Sequence, residues 1–114
     1  MTKNEDYPLF MHWYKTLDWI LDRTEKMPKS VRFSISTRIA STGIDIIENI
    51  IETIYTKDKW KHLRNMNMNF EKLRVLFRIC HERHYISTRQ YQYISEQINE
   101  AGKMCGGWLK KCKE

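Results

Sequence analysis

Chain-breaking residues are scarce in this sequence. Its 114 residues include only four glycines and two prolines. β-rich domains need frequent turns, and turns use glycine and proline because these residues adopt or fix the required backbone angles. So low a content argues against a turn-rich β fold and favours long, uninterrupted helices.

Long apolar runs are also missing. No stretch approaches the roughly 20 consecutive apolar residues that a membrane-spanning helix needs. The first ten residues lack the basic-then-apolar order of a secretory signal. The three cysteines, an odd number, lie within helix-like patterns, so we expect reduced thiols. These features predict a cytoplasmic protein with no membrane partner.

A chain of 114 residues has room for one hydrophobic core. Folding at this size buries roughly two-thirds of the extended surface, which suffices for a core without disulfides or metal. We therefore predict a single domain over residues 1–114, with residues 1–7 flexible.

The positive charge is concentrated in one part of the chain. The formal net charge is +6, and residues 57–89 contain nine basic and three acidic residues, whereas residues 1–56 contain seven and eight. A concentrated basic segment attracts polyanions, and nucleic acid is the first candidate. The alternative is a solvated basic surface that only confers solubility.

Apolar spacings of three and four predict the first two helices. The first runs from about Pro8 to Glu25, with Asp6 as its cap, and it ends before Pro28. The second runs from about Val31 to Lys57. Its predicted apolar face consists of Ile44, Ile47, Ile51 and Ile54.

Two further helices follow a polar segment, Lys57 to Met66, that we interpret as a connection or a short helical extension. The third helix runs from about Phe70 to His84, with Asn67 or Asn69 as its cap. The fourth begins at Ser87 with a capping box. Such helices with short connections predict an all-α, antiparallel up-down-up-down four-helix bundle.

Two features of the sequence concern how the helices pack and whether the chain assembles with other copies. In the fourth helix, Gly102 and Gly106 share a face and would let a neighbouring helix backbone approach closely. The third helix is apolar nearly all round, which predicts that other elements pack against it on more than one side. We expect another copy of the chain to supply that cover at Val75 and Ile79, making a homo-oligomer.

Catalytic and metal-binding motifs are missing from the sequence. It contains no phosphate-binding loop, dinucleotide fingerprint, nucleophile elbow or Glu-x-x-His pair. A weak candidate for a metal site or a nucleophile consists of Cys80, His81 and His84. Cys80 continues an apolar stripe, however, which indicates an ordinary thiol in the core. We predict no enzyme activity, no metal and no cofactor.

The predicted nucleic-acid-binding residues are the cations of the basic segment: Lys61, Arg64, Lys72, Arg74, Arg78, Arg83 and Arg89. Aromatic residues near them could stack on bases: Trp60, Tyr85, Tyr91 and Tyr93. A competing interpretation pairs Arg74 and Arg78 with the acidic row of the second helix: Asp45, Glu48 and Glu52.

Four segments carry a resemblance to a known family: Pro28-Lys29-x-x-Arg32-Phe33, Glu71-Lys72-Leu73-Arg74-Val75-Leu76, Arg89-Gln90-Tyr91 and Gly102-x-x-x-Gly106-Gly107-Trp108-Leu109. In this order and spacing they resemble the Avd accessory proteins of diversity-generating retroelements. These proteins belong to a wider bacterial four-helix-bundle group that includes proteins encoded in intervening sequences of ribosomal RNA genes. The similarity extends from about Pro8 to Lys111.

The resemblance implies a non-catalytic bundle that assembles as a positively charged homopentameric ring. It implies a reverse transcriptase and RNA or DNA as partners, in a complex that copies template RNA with errors at adenines. The runner-up within the same fold is the ribosomal RNA intervening-sequence type, whose role is unclear. Alternatives from other classes are a small helical enzyme and a helix-turn-helix DNA reader, and the long helices disfavour the latter.

Overall fold

The computed structural model describes residues 3–113, and this range contains no β-strand. Its main elements are α1 (Pro8–Glu25), α2 (Ile35–Tyr55), α3 (Lys59–Glu82) and α4 (Thr88–Lys113). Each helix packs against the next, and α1 also contacts α4. The predicted up-down-up-down bundle is therefore confirmed. None of the helices between residues 3 and 113 combines the length and apolar composition that a membrane-spanning segment requires.

The start of α1 differs from the prediction, although its bounds agree. Tyr7 occupies the N-cap position, and Asp6 lies in a short 3-10 turn, so the predicted Asp6 cap is wrong. The Tyr7 ring instead stacks on Trp108 of α4, with centroids 5.2 Å apart. Met1 and Thr2 lie outside the described residues, and the flexibility of residues 1–7 stays a prediction.

The second helix is shorter than the sequence predicts. A 3-10 turn, Lys29–Val31, follows Pro28, and α2 begins only at Ile35 and ends at Tyr55. Its buried isoleucines are Ile39, Ile46, Ile50 and Ile54. The predicted face is wrong for Ile44 and Ile51, which are 40% and 36% exposed. Isoleucines occupy two sides of this helix, so periodicity alone did not identify the core side.

The third helix is longer than predicted. It begins at Lys59, whereas the sequence suggested a start near Phe70 with an asparagine cap. Its first half is anchored by buried side chains at spacings of three and four, namely Leu63, Met66 and Phe70. Asn67 and Asn69 lie inside the helix, and the Asn69 amide donates a hydrogen bond to Asn49 Oδ1 at 2.8 Å. The predicted caps are therefore wrong.

The capping box before α4 is confirmed. The Gln90 backbone N–H donates to Ser87 Oγ at 3.1 Å, and the Ser87 backbone N–H donates to Gln90 Oε1 at 2.9 Å. This reciprocal pair satisfies two donors that the first helical turn would otherwise leave free. From this start, α4 packs a buried row into the core: Ile94, Ile98, Ala101 and Cys105.

Trp13 occupies the centre of the core and is fully buried. Its indole N–H donates to the Gly43 carbonyl at 2.9 Å, and its ring packs edge-on against Phe70 at 5.4 Å. A Cβ on Gly43 would lie 2.9 Å from Leu17 Cδ1, so a glycine permits α1 and α2 to approach closely here. The close-packing glycine is thus in α2, where the sequence had not suggested one.

Candidate nucleic-acid interface

The predicted cations do not form one cluster. Lys61 and Arg64 are exposed near the start of α3, whereas Arg78, Arg83 and Arg89 lie at the other end of the bundle. With a rise of 1.5 Å per residue, Arg64 and Arg83 are roughly 28 Å apart along the axis of α3. The two groups are therefore separate surfaces.

An open groove of about 500 Å³ lies between α3 and the end of α4. Its lining includes Arg64 and Arg74 from α3, Lys110 from α4 and one carboxylate, Glu71. Trp60 also lines it and is 38% exposed, so its indole remains accessible. This surface, which we call the α3–α4 groove, combines cations with an accessible aromatic ring.

The two arginines of the α3–α4 groove are held differently. The Arg64 guanidinium lies 4.7 Å from the centroid of the Trp60 ring, a contact that orients the group without cancelling its charge. Arg74 forms an ion pair with Glu71 at 3.1 Å and donates from Nε to Asn99 Oδ1 at 3.2 Å. The Arg64 guanidinium is therefore more available than that of Arg74 to bind an anion.

The α4 glycines do not admit another helix backbone within this chain, contrary to the sequence-based expectation. A Cβ on Gly102 would lie 3.0 Å from the Arg74 guanidinium, so Gly102 makes room for that side chain. For Gly106, no heavy atom from the rest of the described chain lies within 4 Å of the Cβ position. Gly106 thus leaves an open floor in the α3–α4 groove.

The α1–α2 and α3–α4 connections lie at the same end of the bundle, which we call the connection end, because successive helices run in opposite directions. Here Arg78 pairs with Glu82 at 3.3 Å. Arg83 Nε donates to the Tyr85 hydroxyl at 2.7 Å, and this hydrogen bond raises the pKa of Arg83. Arg89 is exposed in the first turn of α4.

The acidic row of α2 lies beside a lysine. Lys72 lines a groove between α2 and α3 together with that row: Asp45, Glu48 and Glu52. Arg74 and Arg78 pair instead within α3, with Glu71 and Glu82. The competing interpretation, which paired these arginines with α2, is therefore wrong. The nearby carboxylates also weaken the case for Lys72 as a nucleic-acid contact.

Val75 and Ile79, the predicted interface residues, are 51% and 37% exposed. Met68 is exposed two turns before Val75 on the same side of α3, and we call these three side chains the apolar strip. A row of accessible apolar side chains is available to another protein surface. Its use in self-assembly stays a prediction.

The candidate nucleophile is placed unfavourably for chemistry. Cys80 is fully buried, and burial raises the pKa of its thiol to about 11, which keeps it protonated near neutral pH. His81 stacks on Tyr91, with ring centroids 4.6 Å apart, and its Nε2 lies 3.1 Å from Thr88 Oγ1. Among the described residues, no three His, Cys, Asp or Glu side chains form a group that could hold a metal ion.

Comparison with known proteins adds a family assignment. The sequence profile of the bAvd-like family matches residues 9–112, which include all four helices almost entirely. The chain belongs to the bAvd-like family. No curated protein matches the sequence.

Membership of the bAvd-like family confirms the resemblance to Avd proteins that the four sequence segments indicated. The Avd-like family is an accessory kind of protein. The matched range includes the predicted cations as well as Val75 and Ile79, but it assigns no role to them.

Lys110 is the residue of the α3–α4 groove that sequence reasoning missed. The basic segment, residues 57–89, ends in the first turn of α4, so the lysines further along α4 were left out. A usable signal was present, since Lys110 follows Gly106 by four residues and so shares its side of the helix. The groove itself could not be predicted, because it depends on how α3 and α4 pack.

Proposed function

We propose that this bAvd-like protein is a cytoplasmic accessory subunit of a diversity-generating retroelement. It binds nucleic acid and a reverse transcriptase, and it supports the mutagenic copying of template RNA. The observation that carries the proposal is the α3–α4 groove, which holds Arg64, Lys110 and the partly exposed Trp60 indole, in a chain of an accessory-protein family.

The groove suits a nucleic-acid backbone. Phosphates are attracted by Arg64 and Lys110. The Arg64 guanidinium already lies over one face of the Trp60 indole, so an unpaired base stacks on the other face. Gly106 leaves space for a close approach along the floor. The backbone contacts are independent of base identity, so binding should be largely sequence-tolerant and strongly dependent on salt.

The proposal includes a homo-oligomer, a pentamer as the Avd resemblance implies. The interface residues Val75 and Ile79 lie in the second half of α3, whereas Trp60 and Arg64 lie in its first turns. Subunits that meet at Val75 and Ile79 therefore leave Trp60 and Arg64 accessible, whereas Met68 of the apolar strip also lines the groove. Assembly would repeat the positive surface and multiply the contacts that one RNA can make.

The experiment that tests RNA binding compares single charge removals. Arg64→Ala and Lys110→Ala should each weaken binding of a labelled structured RNA about four- to six-fold near 0.15 M salt and lower the log–log salt slope by about 0.7 to 0.9. Lys15→Ala is the matched control, because Lys15 is exposed on α1 in a groove with acidic residues. Equal effects of all three variants would contradict a role for the α3–α4 groove.

The partner half of the proposal has a separate test. A neighbouring gene for a reverse transcriptase, with paired template and variable repeats, would identify the enzyme to co-express with the chain. We expect that enzyme to co-purify with the chain. A gene located inside an intervening sequence of a ribosomal RNA gene would instead favour the runner-up function.

A further inference from the structure

Phe33 is the most exposed of the large apolar side chains in the described range, at 97%. It lies between the 3-10 turn Lys29–Val31 and the start of α2. A side chain this exposed contributes almost nothing to the core of the bundle. The other large apolar side chains of this connection belong to the core, since Met27 is buried in it and the partly buried Val31 packs against it.

The backbone around Phe33 is well fixed, so the exposed ring does not lie in a loose loop. The Ser34 N–H donates to the Val31 carbonyl at 3.2 Å, and the Thr37 hydroxyl donates to the Arg32 carbonyl at 2.6 Å. Arg32 Nε also donates to the Met27 carbonyl at 3.2 Å. These bonds hold the segment on both sides of the ring.

The surroundings of Phe33 are strongly basic. Residues 26–38 contain four basic residues and no acidic one: Lys26, Lys29, Arg32 and Arg38. Lys26 pairs with Asp22 at 3.1 Å. Arg83, which follows α3, and Arg89, in the first turn of α4, lie at the same end of the bundle. A charge count over residues 1–56 conceals this segment, because acidic residues elsewhere in α1 and α2 cancel it.

We propose that Phe33 is a base-stacking residue for single-stranded nucleic acid at the connection end. An unpaired base stacks on the ring, while Lys29, Arg32 and Arg38 contact the flanking phosphates. Every base offers a π-face, and the cations track the backbone, so this pairing of an aromatic ring with cations suits an unpaired strand. The inference rests on the proposed function, since it presumes RNA binding, but it places a second contact far from the α3–α4 groove.

A protein partner fits these observations less well. A protein pocket that covered Phe33 would also have to desolvate the basic residues on both sides of it, which is costly unless each cation finds an anion. A nucleic-acid strand supplies regularly spaced phosphates next to the base. The charge around Phe33 therefore favours a strand over an apolar pocket.

Crosslinking and one set of variants test the inference. Ultraviolet irradiation of the full chain bound to oligouridine RNA should attach a nucleotide to residues 33–38, which trypsin releases by cleaving after Arg32 and Arg38. Phe33→Ala and Phe33→Leu should each weaken oligouridine binding about ten-fold, whereas Phe33→Trp should retain it, because stacking needs an aromatic ring. Tyr14→Ala, which removes an exposed aromatic residue of α1, is the control and should bind as the wild type does.

The outcomes separate this inference from the proposed function. If the wild type binds RNA but Phe33→Leu binds equally tightly and the crosslink lies elsewhere, the stacking role is wrong and the proposed function stands. If the wild type binds no RNA, the proposed function itself fails. If Phe33→Ala instead changes the oligomeric mass in light scattering, a second copy of the chain covers the ring, and the inference is overturned.

Discussion

Replacing Gly106 with alanine should separate the stability of the bundle from binding in the α3–α4 groove. Gly106 lies inside α4, and the described chain has no heavy atom of another element within 4 Å of the Cβ position. The added methyl group should therefore meet no obstacle. Alanine in a helix interior is favoured over glycine by about 1 kcal/mol. At this chain length, that gain corresponds to a Tm rise of roughly 3–6 °C.

The same methyl group should disturb the groove, because Gly106 forms part of its floor. We expect Gly106→Ala to melt at a higher temperature in circular dichroism and to bind RNA more weakly in fluorescence anisotropy. Gly107→Ala is the matched control, since Gly107 is equally unobstructed but lines a different surface with Tyr7 and Trp108. It should gain similar stability and keep its RNA affinity.

A lower Tm for Gly106→Ala would refute this reasoning. Such a result would mean that the methyl group meets a neighbouring element, and a helix of another subunit would then be the first candidate. Gly102→Ala gives a graded comparison, because its methyl group would have to displace the Arg74 guanidinium 3.0 Å away. We expect it to gain less stability than Gly106→Ala does.

Two further predictions concern assembly and thiol chemistry. Val75→Glu or Ile79→Glu should convert the proposed oligomer to a monomer in light scattering with an unchanged helical spectrum, because an unpaired carboxylate buried in an interface is strongly unfavourable; an unchanged mass would remove the apolar strip from the proposed interface. Burial raises the pKa of Cys80 and Cys105 to about 11, so at pH 8 a thiol reagent should label Cys112 first, and equal rates would contradict the buried placement. Because these two pKa values lie above their unfolded value, stability should decline as pH rises from about 9 to about 11.

The sequence predicted those parts of the fold that depend on local chemistry. Pro8 and Pro28 mark the limits of α1, and Ser87 with Gln90 marks the start of α4, because each acts on backbone groups within a few residues. The start of α3 was missed, since lysines and asparagines between its apolar residues conceal a continuous helix. The core side of α2 was missed because exposed isoleucines such as Ile44 repeat at helical spacing too.

The candidate site was only partly predictable for a different reason. Charge along the sequence identified Arg64, but only helix packing brings Lys110 and Gly106 into the same groove. Packing likewise places Lys72 beside carboxylates of α2. The basic residues around Phe33 were missed because the charge count over residues 1–56 also includes the acidic residues of α1 and α2.

The central claim, that this chain binds RNA through its positive surfaces, is tested most directly by titrating the purified wild-type protein into labelled, structured RNA between about 50 and 200 mM salt. Five cations have been assigned to phosphates: Lys29, Arg32, Arg38, Arg64 and Lys110. At about 0.7 per contact on unpaired strands and about 0.9 on duplex regions, they predict a log–log slope of affinity against salt of roughly −4. Saturable binding at low salt with a slope near that value would agree with the account. No binding at about 50 mM salt, or an affinity that does not change with salt, would contradict it.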